Sequence, residues 1–267
     1  MRNTVHRFSP YTYSLRGEKF GSGLFIGRLT KFCPQCLLED NARGHHQHWD
    51  RRERLAWLFR PITACPVHRI SLHFAGPQPG IAPDLSCRVP AENEELRLLV
   101  DHATLREPSP LQAYLLARLE GAAGPSWLDG QTIEQAVGAT EMLGAVLAFG
   151  ARVNTNDLTV GDWHDAACTG WQWAKQGEAG LREAFSHIQS MQPKTRQIRG
   201  SAPGQAFGTL YQWLANPHLK SDRGPIKDLL RTHILETEAL TSDRTTLGEV
   251  VRRNHIARST LGQIQPT

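Results

Sequence analysis

The 267-residue sequence predicts a mainly α protein, in which a small metal-pinned β-hairpin lobe is followed by a multi-helix lobe ending in a helix-turn-helix. Three observations carry this. The first is a pair of short motifs, Cys33-Pro-Gln-Cys36 and Cys65-Pro-Val-His68, a CxxC followed 28 residues on by a CxxH. The second is the run of prolines and glycines between Gly76 and Pro90, dense enough in chain breakers to separate two domains. The third is that most of what lies beyond carries apolar residues at helical spacing behind capping signals.

The two motifs come first because their chemistry is the most specific. Zinc takes four soft or borderline ligands in a tetrahedron, and two tight turns that each offer a ligand pair can close one with no position left open. Cys33, Cys36, Cys65 and His68 therefore read as the ligands of one structural Zn2+, in a lobe of the zinc-ribbon kind. Leu37 and Leu38 follow the first pair, and Ile70, Leu72 and Phe74 the second, so each turn is tied to a small core. A redox CxxC is the other reading. The proline inside CPQC and the second ligand pair at ribbon spacing argue against it.

A chain of this length has room for about two domains. Of the five cysteines, Cys87 and Cys168 remain once the motifs are assigned, which is no disulfide framework. The N-terminus, MRNTVHRFSPYTYSL, has no apolar run that could be a signal or membrane segment. A cytoplasmic, reducing compartment is expected. The net charge of +4 is unevenly spread: residues 1–76 hold 12 Lys and Arg against 5 Asp and Glu, residues 77–192 hold 7 against 15, and residues 193–267 hold 11 against 6. Basic ends suit nucleic acid, and an acidic middle suits solvent or a basic protein face.

In order along the chain, the expected parts are a zinc-ribbon part over 1–76, a linker over 77–90, and a helical domain over 91–267. A strand is expected at Leu24–Leu29, leading into the first motif. In DRRERLAWLF, Leu55, Leu58 and Phe59 lie at helical spacing until Pro61, and Arg51, Arg52 and Arg54 crowd the turn before. Ile70, Leu72 and Phe74 alternate with Ser71 and His73 as a half-buried strand, which puts the second motif in a hairpin. Glu92–Leu105 follows as a helix with Leu96, Leu99, Val100 and Ala103 on its apolar face. Ser109 before Pro110 caps a helix over Leu111–Leu119. Thr132 and Gln135 form a capping box for a helix to Phe149. A helix bearing Trp163, Trp171 and Trp173 comes next, with the tryptophans read as core, then Leu181–Met191. PKTRQIRGSAPG is a loop, FGTLYQWL has helical spacing, and Pro225 opens a helix to Glu236.

The last stretch, TLGEVVRRNHIARSTLGQIQ, has helix-turn-helix spacing, with Thr246 and Glu249 as a capping box and Asn254 in the turn. With the Pro225 helix it makes a trihelical module over about 225–265. Arg252, Arg253, Arg258, Ser259 and Thr260 are its expected nucleic-acid contacts, because such modules reach phosphates and bases from the N-terminal end of the last helix. A hairpin used only for packing is the alternative.

FCPQCLLED, then RLAWLFRPITACPVHRISL with Arg54 and Trp57 ahead of the second motif, resembles the TniQ family, the target-selection subunits of bacterial transposons that use an AAA+ regulator. FGTLYQWL and the terminal helix-turn-helix are also similar to that family. The resemblance implies that Cys33, Cys36, Cys65 and His68 are the zinc ligands. It implies a non-catalytic adaptor that recognises a target, by DNA contact or by docking on a CRISPR effector complex, and recruits the ATPase. The expected partners are thus an AAA+ transposition regulator, DNA, a CRISPR effector complex and, in a homodimer, a second copy of the chain; no membrane is among them. Members of the family usually carry a helical segment with its own helix-turn-helix before the first CxxC, and only about thirty residues precede it here. Functions located on that segment are not carried over.

Two rival classes are weighed. His45, His46, His48 and Asp50 open like the HxHxD of a metal-dependent hydrolase, but Arg51 stands where that motif needs His, and no HExxH or second HxH completes an open site. A zinc-ribbon and helix-turn-helix DNA-binding regulator shares every physical feature and is separated only by the resemblance. There is no GxxxxGK[ST], so ATP hydrolysis would belong to a partner, and no catalytic residues are assigned.

Overall fold

The computed structural model describes residues 4–27, 29–44, 50–76, 85–191, 206–216 and 222–239. The chain divides into two compact units, Met1–Ala122 and Ala123–Thr267. A small antiparallel β structure opens the first, and the second is helical, so the molecule is mainly α with a hairpin lobe first.

In the first unit, β1 (His6–Ser9), β2 (Thr12–Leu15) and β3 (Glu18–Gly21) form a three-stranded meander. Leu15 pairs with Glu18 across the two-residue turn Arg16-Gly17, whose φ angles of 52° and 94° are both left-handed, as a twisted hairpin turn of this length demands. Tyr13 and Phe20 meet Phe25 edge to face, and Phe20 meets Phe59, which builds an aromatic core under the sheet. The strand expected at Leu24–Leu29 is not regular. Ser22–Leu24 is a 3-10 turn, and Leu24 and Ile26 bond instead to Arg60 and Leu58. The regular strand is β4 (Thr30–Phe32), which pairs antiparallel with β5 (His73–Ala75).

α1 (Pro34–Arg43) follows β4 directly. The helical spacing in DRRERLAWLF produces only a 3-10 turn, Leu55–Leu58. Beyond it, the carbonyls of Phe59 and Ile62 are taken by the ammonium of Lys31, which is 1% exposed, at 2.6 and 2.5 Å. α2 (Leu85–Arg88), α3 (Asn93–Asp101) and α4 (Pro110–Leu119) complete the unit. α3 stops short of Leu105 because residues 104–106 pair with 69–71 through Ser71 N to Thr104 O and Arg106 N to Arg69 O. Ser109 caps α4 by accepting from Gln112 N, as the Ser-Pro pair predicts. By packing, the first compact unit runs on through α4 to Ala122. Gln112 is buried and bonds to Thr63 and Ala64, and Arg51 donates to the carbonyls of Pro90 and Ala91.

The second unit holds α5 (Ser126–Asp129), α6 (Ile133–Phe149), α7 (Val160–Ala174), α8 (Gly177–Ser190), α9 (Gly208–Ala215) and α10 (Ile226–Ala239). Thr132 and Gln135 form the reciprocal capping box of α6, and Thr159 with Asp162 does the same for α7. α6 and α7 cross with almost no separation: a Cβ at Gly144 would lie 1.8 Å from the Ala166 carbonyl oxygen, and one at Gly170 1.9 Å from that of Thr140. Leu143, Val146, Phe185, Phe207, Leu210 and Leu230 form the centre of the core. Trp163 and Trp173 are partly buried against it, and Trp171 is half-buried. α10 is the expected supporting helix. The two helices expected after it lie outside the described residues. No helix among the described residues is long and apolar enough to cross a membrane.

Candidate metal centre

The two motifs are held in different local structures. Cys33 is the N-cap of α1, Pro34 its first residue, and Cys36 lies in its first turn. Proline is preorganised for that position, and the helix N-terminus favours thiolate there. The second pair lies in a hairpin: Cys65 N donates to Ile70 O and Arg69 N to Cys65 O, both at 2.9 Å, and Leu72 N bonds to Thr63 O. Arg69 takes a left-handed φ of 53° to close that turn.

These elements bring four donor atoms together. The Sγ atoms of Cys33, Cys36 and Cys65 lie 3.4, 3.3 and 3.5 Å from His68 Nδ1, and Cys36 Sγ is 3.7 Å from Cys65 Sγ. All four lie within 4.8 Å of one another, and among the described residues this is the one such group able to hold a metal ion. A tetrahedral zinc site with ordinary bond lengths has S–S edges of about 3.8 Å and S–N edges of about 3.5 Å. The four distances given match those edges, so the donor set fits the metal in number, type and spacing. It leaves no open coordination position.

The charges of the three thiols diverge. Cys65 is pushed far below the ordinary thiol range by hydrogen bonds from Cys33 and Cys36. Cys36 is pushed far above it by its bonds to Cys33 and Cys65 and by burial. Cys33 rises to about 11, the bond from Cys36 pulling down but being outweighed by its bond to Cys65 and by burial. The three sulfurs lie close enough to share protons, and a bound dication would displace those that remain.

One participant escaped the sequence reading. With Nδ1 turned toward the sulfurs, His68 carries its proton on Nε2 and donates it to Glu39 Oε1 at 2.7 Å. This is the carboxylate–histidine pair that fixes tautomer and ring orientation at metal sites. The signal was present: Glu39 stands three residues after Cys36, one turn along the same face of α1. Next to it Asp40 is buried and takes both Arg54 Nη atoms, one at 2.9 Å, and Arg52 N at 3.0 Å. The Arg54 guanidinium also lies 5.0 Å over the Trp57 ring. Arg54 and Trp57 thereby brace the metal-bearing helix against the 3-10 turn.

Residues 1–72 match the TniQ family model. The TniQ match spans all four donors and Glu39, stops at Leu72 just before β5, and associates this part of the chain with DNA transposition. No curated protein and no solved structure matches the chain.

Arg252, Arg253, Arg258, Ser259 and Thr260 lie outside the described residues, as do His45, His46 and His48. Arg51, standing where a hydrolase motif would need His, donates to Asn41 Oδ1 and to two main-chain carbonyls and so fastens α1 to the start of α3.

Proposed function

We propose that this chain is a non-catalytic target-selection adaptor in DNA transposition, with one structural Zn2+ held by Cys33, Cys36, Cys65 and His68. The observation that carries the reading is a coincidence: the TniQ match ends within four residues of the last member of a closed Cys3His cluster. A closed tetrahedron offers no site for a metal-bound water, so the metal supplies fold and not catalysis. The zinc would hold the start of α1 against the hairpin, fixing the surface that the N-terminal unit presents to a partner.

In this reading the chain links target DNA, or a CRISPR effector complex, to an AAA+ transposition regulator in the bacterial cytoplasm. Arg252, Arg253 and Arg258 contact phosphates, and Ser259 and Thr260 are the further nucleic-acid contacts of this reading. Replacing the three arginines together by Ala is expected to weaken duplex binding and reduce its salt dependence, because each lost phosphate contact removes about one released counterion.

The test is capture of a cognate AAA+ transposition regulator by the purified chain, with and without duplex DNA, alongside metal analysis of the same sample. Capture with about one zinc per chain supports the adaptor. Zinc and DNA binding with no capture would transfer the chain to the DNA-binding regulators. Two metals with ester or phosphodiester turnover would overturn both.

A further inference from the structure

We propose that the free edge at Leu105 is a docking site for an extended, acidic segment of a protein partner, which adds there as a strand beside the hairpin of the metal centre. Residues 104–106 form the outer strand of a small ribbon. On one side of residues 69–72, Cys65 N bonds to Ile70 O and Leu72 N to Thr63 O; on the other, Ser71 N bonds to Thr104 O and Arg106 N to Arg69 O. Ile70 faces Leu105 antiparallel between those last two bonds, so the two form a non-hydrogen-bonded pair whose main-chain groups point away from each other. Ile70 O accordingly goes to Cys65. Leu105 N–H and C=O point to the opposite side, and Pro108 keeps Glu107 extended with its N–H turned the same way. Among the described residues none of these three groups has a hydrogen-bond partner.

Edge strands are ordinarily blunted by an inward charge, a proline or a covering element. Here the edge carries a leucine that is 83% exposed, on the same face as Ile70, which is 7% exposed. A strand laid along the edge would cover Leu105 and extend the core past Ile70. Alternation puts Thr104 and Arg106 on the other face. Of the acids nearby, Glu107 lies 3.3 Å from Arg69, and Asp101 lines the cleft between α1 and α3. Arg106 has no carboxylate partner among the described residues. A second copy paired about Leu105 would set each Arg106 against a Thr104 and supply no countercharge, so a partner that brings acids is the better occupant.

In strand addition the main-chain bonds give affinity and the alternating side chains give specificity. The fitting segment has an apolar residue opposite Leu105 and acids on either side of it, on the face of Arg106. Three main-chain groups make a short ladder, so the contact is weak and reversible. The inference stands on this edge and not on the transposition reading.

The experiment is a 1H–15N NMR titration of the full, zinc-loaded chain with the capped peptide Asp-Val-Asp-Val-Asp, and with Lys-Val-Lys-Val-Lys as its reverse, to millimolar concentration. The acidic peptide is expected to shift the amides of Leu105 and Glu107 downfield, and the basic one to leave them in place. Leu105→Pro removes the outward N–H but keeps the inner ladder, which uses Thr104 O and Arg106 N, and should weaken the acidic peptide about fivefold or more. Arg106→Glu touches no main-chain bond and should reverse the preference to the basic peptide, which tests the site independently of the proline variant. Circular dichroism and zinc content check the fold of both. No shift at Leu105, equal shifts with both peptides, or affinity unchanged by Leu105→Pro overturns the docking site. A dimer in sedimentation that Leu105→Pro abolishes overturns it too, by giving the edge to a second copy. Failure to capture an AAA+ regulator, with the peptide result intact, would count against the adaptor alone.

Discussion

Glu39 provides a quantitative test of the metal centre. Glu39→Gln keeps an oxygen acceptor beside His68 Nε2 and removes the negative charge; Glu39→Ala removes both. Losing an outer partner of a ligating histidine costs about 10- to 100-fold in metal affinity. The Glu39 side chain is 35% exposed, so water screens part of its charge, and the Gln variant should fall near the lower end, about tenfold or 1.4 kcal/mol. The Ala variant, whose Nε2–H loses its acceptor at 2.7 Å, should fall toward the upper end. The Arg43–Glu39 pair, at 3.3 Å on the surface, contributes little of its own, so α1 stability does not confound the reading. The assay is competition with a chromophoric zinc chelator at neutral pH, with Cys36→Ser as the reference for a lost ligand. A Gln variant as tight as the parent, or an Ala variant no weaker than Gln, would refute the claim that Glu39 orients His68 toward the metal.

Cys36→Ser leaves three donors and should make residues 1–122 susceptible to limited proteolysis while 123–239 stays resistant; equal resistance of both halves would count against metal-dependent folding. Gly144→Ala puts a Cβ 1.8 Å from a main-chain oxygen that has nowhere to go, so about 3 kcal/mol of overpacking should outweigh about 1 kcal/mol of helix propensity gained, and a denaturant midpoint at or above the parent's would disprove the close crossing. His233 is held below the ordinary histidine range by burial and by Arg182, against an opposing pull from Glu236. Above about pH 6.5 both folded and unfolded forms are neutral and nothing is lost. Below it the unfolded chain takes a proton that the folded chain refuses, so stability falls as the pH drops. Hydrogen-exchange protection in α8 and α10, bridged by His233 Nε2 to Gln189 Oε1 at 2.9 Å and corrected for the intrinsic pH dependence of exchange, should fall between pH 7 and 5, and His233→Gln should flatten that trend.

The parts legible in the sequence are those whose determinants are local. Ser109-Pro110 and Thr132 with Gln135 announce helix starts because the cap is made by neighbours in the chain. The four donor residues announce one another because their chemistry permits few other uses. What was not legible depends on distant partners. Nothing near Leu55 says that Lys31 will claim the carbonyls of Phe59 and Ile62 and leave a 3-10 turn where the spacing suggests a helix. The meander at 6–21 is hard to see for another reason: its strands are four residues long, too short to show a period, and its turn rests on Arg16 adopting a conformation that arginine disfavours. Glu39 reads as one more surface acid until His68 is brought to it from 29 residues away.

The position of α4 leads to a last expectation, about how much of the chain the metal centre needs. The TniQ match stops at residue 72, but the hairpin that carries Cys65 and His68 is completed by Gln112, which accepts from Thr63 N and Ala64 N and donates to Ala64 O. Arg118 anchors β3 through Glu18, and Leu119 shares a cleft with Leu15 and Phe59. Leu96, Leu111, Leu115 and Leu119 are all buried in this unit. At about 1.5–3 kcal/mol each they contribute about 6–12 kcal/mol gross, an upper figure that still rivals the whole stability of a small domain, about 5–15 kcal/mol. A fragment of residues 1–72 should therefore be unstable even with zinc, whereas 1–122 with zinc should melt cooperatively. The metal fixes the local geometry of one hairpin and one helix end, but it does not replace the apolar surface that the four leucines bury. Cooperative melting of zinc-loaded 1–72 at the temperature of 1–122 would show that the metal alone suffices and that α3 and α4 merely rest on the lobe.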